Sequence, residues 1–124
     1  MKENVERNQN AITTTTIHCQ ECDWFHATWK NTFPNEKDYF DVVLVADCVW
    51  LQSLVLPLLQ TMQEVCGANT RFIVSYQRRG KDAHDIFFNG LNAHFSVNEI
   101  DVGSSIDERH LPDNFFLLEG QIKL

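Results

Sequence analysis

The chain has 124 residues, of which 44% are hydrophobic and 22% charged, and its formal net charge is −7. That is a length for one domain, a composition that argues against disorder, and an acidic balance that disfavours nonspecific contact with nucleic acid. No stretch approaches the ~20 consecutive apolar residues a membrane helix needs, and the start, Met1-Lys2-Glu3-Asn4, lacks the apolar centre of a signal peptide.

In chain order, Lys2 to Asn10 is polar with Val5 as its main apolar residue. It reads as the last turns of an exposed helix closing at Asn8 or Asn10, because Asn tolerates the left-handed conformation that ends helices. Thr13 to Thr16 is β-branched, and Ile17 and Cys19 alternate with His18 and Gln20. That pattern predicts a strand ending near Glu21. Asp23 to Asp38 carries Trp24, Trp29, Asn31, Pro34 and Asn35, and reads as a loop.

The run from Tyr39 to Trp50 is the most informative segment. Phe40 to Ala46 is a short, almost continuous apolar run, the pattern of a strand buried on both faces. It ends at the lone carboxylate Asp47. In open α/β sheets ligands lie beyond the carboxyl ends of strands, so Asp47 and Trp50 fall where a ligand is met. Next, Leu51, Leu54, Val55, Leu58, Leu59, Met62, Val65 and Cys66 repeat every 3.6 residues, which predicts a helix. Ser53 suits its N-cap, Pro57 its first turn and Gly67 its stop.

Thr70 to Tyr76 is a second apolar strand. Asp82 can cap a helix from Ala83 to about His94, with Ala83, Ile86, Phe87 and Leu91 as its apolar stripe. Phe95 to Val102 reads as a strand, Gly103 to Asn114 as a loop and Phe115 to Leu124 as a last strand or hairpin. Alternation of strand and helix argues for a parallel sheet, and two final strands without a helix between them suggest an antiparallel edge.

Four segments together resemble the carboxyl-terminal part of the class I S-adenosylmethionine-dependent methyltransferases, and within them the methyltransferase-like group of protein-lysine methyltransferases. Met1-Lys2-Glu3-Asn4-Val5-Glu6-Arg7-Asn8 is similar to the helix after the second strand of that fold. Cys22-Asp23-Trp24 resembles its Leu-Asp-Trp segment. Phe40 to Trp50 resembles its fourth strand with an Asp-x-x-Tyr motif, and Ser75-Tyr76-Gln77-Arg78-Arg79 the end of its fifth strand. Trp50 stands where the family has Tyr, and Cys22 where it commonly has Leu.

The resemblance implies an α/β, three-layer Rossmann-like fold of seven strands, of which residues 1–124 form a partial domain without the first two strands. The glycine-rich loop of the first strand and the ribose-binding acid of the second have no counterpart, and no Gly-x-Gly occurs. It implies S-adenosylmethionine as cofactor in the complete domain, contacted by Asp23, Trp24 and Ala46. It implies a protein substrate, and roles for Asp47 and Trp50 in methyl transfer. An in-line displacement at a sulfonium methyl needs a neutral amine held close and aligned. Asp47 suits the orientation of that amine or of the cofactor's methionine part, and the Trp50 face suits a lysine channel, since aromatic rings attract ammonium groups.

Each of these residues has a plainer role beside the functional one. Trp24 and Trp29 can be half-buried loop anchors, and Asp47 a helix N-cap or turn residue. His18, Cys19, Cys22 and His26 resemble a zinc quartet, but no second Cys or His pair follows at the usual distance, and a lone Cys-x-x-Cys is a weak signal. Arg78-Arg79-x-Lys81 reads as a solvated basic loop, and Asp107 to His110 as loop. His84 and His94 have no Ser or Cys partner at a recognisable spacing.

A fragment of this kind is expected to be inactive alone. The central strand keeps an unpaired edge, which invites self-association. The alternatives are a catalytically dead interaction module and a small zinc-binding module. Cys19, Cys22, Cys48 and Cys66 are expected as thiols in a cytoplasmic protein, with no membrane or nucleic-acid partner.

Overall fold

A computed structural model describes residues 1–26, 40–101 and 114–123. Tyr39, Trp29, the remainder of the expected 23–38 loop beyond residue 26, and the loop carrying Asp107 to His110 lie outside the described residues. The elements are α1 (Lys2–Arg7), a 3-10 turn (Gln9–Ala11), β1 (Val42–Ala46), α2 (Gln52–Val65), β2 (Arg71–Gln77), α3 (Lys81–His94), β3 (Phe95–Glu99) and β4 (Phe115–Ile122). Four strands form one sheet in the order β1-β2-β4-β3.

β1 and β2 run parallel, because α2 carries the chain back between them. β4 lies antiparallel to both β2 and β3. The last two strands do pair antiparallel, but the antiparallel strand is β4, one in from the edge, and the edge strand β3 runs in the direction of β1 and β2. The register pairs Val43 with Phe72 and Val45 with Val74. It then pairs Phe72 with Gly120 and Val74 with Leu118. Since paired residues share a face, one face collects this apolar set.

α2 and α3 cover that face. Val55, Leu58, Leu59 and Met62 of α2, with Ala83, Phe87 and Leu91 of α3, join Phe72, Val74, Tyr76, Phe95 and Leu118 in one buried core. The apolar stripes expected for both helices thus face the sheet. The class is α/β with a mixed sheet, as expected. Of three layers, the described residues supply the sheet and one layer of long helices.

Thr70 ties the beginnings of β1 and β2 together. It is fully buried. Its hydroxyl donates to the Phe40 carbonyl at 2.7 Å and accepts from the Gly67 N–H at 3.0 Å. The Arg71 N–H donates to the Asp41 carbonyl at 2.9 Å. These bonds anchor the start of the parallel register at its first pair, Val42 with Arg71.

Several local expectations are corrected. β1 is not buried on both faces: Val42 is 49% and Leu44 73% exposed. The described residues place no strand beside its outer edge and no helix over that face. The segment Thr13 to Glu21 forms no strand. It has the alternation of a strand in sequence but does not pair with the vacant edge of β1, since β-propensity alone does not make a ladder.

The helix ends differ as well. α2 has Leu51 at its N-cap with no side-chain cap bond, so Ser53 lies inside the helix. Pro57 is also inside, one turn beyond the place where a missing N–H costs least. α3 opens after Gly80, with Asp82 in its first turn rather than at its cap. Asn8 closes α1 at φ −104°, outside the left-handed region. Among the described residues, no helix is long and apolar enough to cross a membrane.

Candidate active site

The outer edge of β1 opens on a cleft of about 420 Å³. β1 forms one wall, and Leu58 and Met62 of α2 contribute to its lining. Another part of the lining comes from the amino-terminal segment, which presents His18, Gln20, Cys22 and Trp24. These are alternate residues, so the period of a strand survives here without the pairing. Trp24 also packs against the buried core. Ala46 and Cys48 line the cleft at the carboxyl end of β1.

Asp47 follows directly. Its N–H donates to the Ser75 carbonyl at 2.7 Å, continuing the parallel ladder one step past Ala46 and Ser75. Its backbone then turns at φ 51°, a left-handed conformation that non-glycine residues seldom adopt, though Asp tolerates it better than most. The Arg79 guanidinium donates to Oδ2 of Asp47 at 2.5 Å, with both side chains about half exposed. Asp47 is therefore a turn residue at a strand end and not the cap of α2. Trp50 is 51% exposed and stands outside the cleft lining.

Asp23 is committed to its own turn. One carboxylate oxygen accepts the Phe25 N–H at 2.9 Å, and the other lies 2.7 Å from Nδ1 of His26. The bond to His26, then that from Phe25, holds the carboxyl below its ordinary range. Among the thiols, burial foremost raises Cys48, with the neighbouring Asp47 adding to it. Its Sγ–H donates to the Ala46 carbonyl at 3.3 Å. Burial also pushes Cys66 up to about 11. Among the described residues, no three His, Cys, Asp or Glu side chains gather as metal ligands, and His26 faces Asp23 rather than the cysteines.

Of the residues singled out in the sequence, the fold brings Trp24 and Ala46 into one cleft. It leaves Asp23, Asp47 and Trp50 outside the lining. Two site features escaped the sequence. Cys48 carried no signal beyond its place after Asp47. Arg79 read as part of a solvated basic loop; only the register between Ala46 and Ser75 shows that β2 delivers it to Asp47.

A family model described as lysine methyltransferase matches residues 1–94. The chain belongs to the lysine methyltransferase family. The match runs from α1 through α3, so every element that walls the cleft or holds Asp47 lies inside it. No curated protein matches the chain.

Lysine methyltransferase membership implies the use of S-adenosylmethionine. The residues present fit one part of that molecule. The flat indole of Trp24, the small side chain of Ala46 and the apolar walls suit an adenine ring. The described lining contains no Asp or Glu to hold a ribose diol. The fit is therefore to the adenine end alone.

Proposed function

We propose that this chain serves S-adenosylmethionine-dependent methylation of protein lysines, in the cytoplasm, and that its cleft takes the adenine end of the cofactor between Trp24 and Ala46. The observation that carries this reading is that those two residues line one apolar cleft, which runs along β1 and has Ala46 at the carboxyl end of that strand. Asp23 borders the same wall, one residue before Trp24. Its paired carboxylate accepts from neighbours and is ionised, so it suits an exocyclic amine at the rim.

S-adenosylmethionine supplies a methyl group activated by its sulfonium. The chain's own part is positioning. Asp47 orients the incoming amine from the strand end, and an error of about 1 Å there costs on the order of a hundredfold in rate. The exposed face of Trp50 draws the lysine ammonium toward that end.

On its own the chain binds the cofactor weakly and is inactive. Its cleft offers apolar surface to adenine but, among the described residues, no carboxylate to the ribose. The exposed edge of β1 favours a second property, self-association through backbone pairing, because Val42 and Leu44 present apolar surface beside it.

Methyl transfer to lysine-containing proteins tests this reading. It is measured on the chain alone and on the chain joined to the glycine-rich first strand and acidic second strand of a lysine methyltransferase. Transfer is expected only in the joined protein, and Asp47→Ala should lower it far more than it lowers folded content. Activity in the chain alone, or loss of activity only in step with loss of folded protein, would overturn it.

A further inference from the structure

We propose that Arg79 is a positioning residue that fixes the Asp47 carboxylate at the end of β1. The proposal rests on the reading of Asp47 given above, and deepens it. Three observations converge on one atom group. Asp47 turns through a left-handed conformation at φ 51°. That conformation is unfavourable for an ordinary side-chain-bearing residue. Its N–H is held by the Ser75 carbonyl at 2.7 Å. Its Oδ2 accepts from the Arg79 guanidinium at 2.5 Å.

The two anchors come from the same neighbouring strand end. Ser75 lies within β2, and Arg79 follows two residues after Gln77 ends it. The strained residue is therefore clamped at its backbone by one part of β2 and at its side chain by the segment that leaves it. A carboxylate on a tight turn swings with its backbone. A second contact from outside the turn selects one direction for it, the more so when the donor is a planar guanidinium. Arg78, its neighbour, uses its own N–H differently, donating to the Asn114 carbonyl at 2.9 Å. That bond ties the segment to the start of β4 and gives Arg79 a fixed base.

Asp47 and Arg79 are each about half exposed, so the clamp should weaken with salt. Its size should match that of other exposed ion pairs.

Hydrogen exchange on the intact chain tests the proposal without cofactor or acceptor. The readout is the Asp47 amide, which donates to the Ser75 carbonyl and is followed in a peptide that begins at least three residues before it. Arg79→Gln is expected to speed exchange there about two- to fivefold, the range an exposed ion pair supports. Peptides from α3 should not change. Arg79→Lys should restore part of the protection. Asp47→Asn should match Arg79→Gln, and the double variant should be no faster than either single one. Wild-type exchange in Arg79→Gln, or additive effects in the double variant, would overturn the proposal. Because the exchange is read without catalysis, its failure is distinct from failure of the catalytic reading of Asp47, which the methyl-transfer comparison with Asp47→Ala decides.

Discussion

The hydroxyl of Tyr76, on the buried face of β2, lies 2.9 Å from Nδ1 of His84 on α3. The same tyrosine ring stacks on Phe116 at 5.4 Å and meets the edge of Phe87 at 5.5 Å. One polar pair thus sits inside the aromatic seam between α3 and the sheet. Burial foremost pushes Tyr76 up to about 12, and burial foremost, with Arg78 assisting and Asp85 opposing, lowers His84. Both groups are kept neutral.

The pH dependence of stability follows from those directions. A histidine whose folded pKa is depressed takes up its proton more readily when unfolded. Its stabilising contribution is therefore complete above the ordinary value of about 6.5 and is lost as pH falls through the folded value. Urea midpoints of the wild type are expected to decline as pH drops below about 6.5, and His84→Gln should flatten that decline. For Tyr76 the sense is reversed. Its contribution holds below about 10 and is lost as pH rises toward about 12. Tyr76→Phe should cost about 0.5–1.5 kcal/mol at neutral pH. An unchanged midpoint in Tyr76→Phe would show that the bond contributes nothing.

Gly120 lies where β3, β4 and the Phe72 ring converge. A Cβ there would run into the Ser96 carbonyl oxygen and the Phe72 ring, and the first of these is backbone that cannot rotate away. Gly120→Ala is expected to destabilise the chain by about 1–3 kcal/mol through overpacking. Equilibrium denaturation measures it, and a neutral result would mean that β3 can shift away from β4.

Leu44 is 73% exposed on the edge strand of an acidic chain. Sedimentation at low micromolar concentration is expected to show self-association of the wild type. Leu44→Lys should reduce it, since a charge on an edge strand discourages pairing with another chain. A reversible monomer in the wild type would remove β1 as an association surface.

The parts of the fold legible in the sequence were those whose signal is local. The 3.6-residue repeat from Leu51 to Cys66 lies within one residue of α2 at either end, because buried side chains on one stripe define a helix without help from elsewhere. Thr70 to Tyr76 likewise marked β2 to within a residue. Thr13 to Glu21 carried the alternation of a strand but does not pair with the open edge of β1. Pairing is a non-local property that alternation cannot report. The burial of β1 failed for the same reason: an apolar run reports the appetite of a strand for cover and not the presence of that cover. At the candidate site, Trp24 and Ala46, which the structure shows lining one cleft, were singled out through short motifs of the resemblance. Arg79 was not, because its contact with Asp47 spans 32 residues and arises only from the parallel register.

The proposed seat of the cofactor between Trp24 and Ala46 is tested most directly by saturation-transfer NMR on the chain with millimolar S-adenosylmethionine, a regime that detects weak binding. Transfer is expected to be strongest to the adenine protons and weak along the ribose and methionine, and Trp24→Ala should abolish the adenine signal while leaving the chain folded. Uniform transfer along the ligand, or an adenine signal that survives Trp24→Ala, would contradict it.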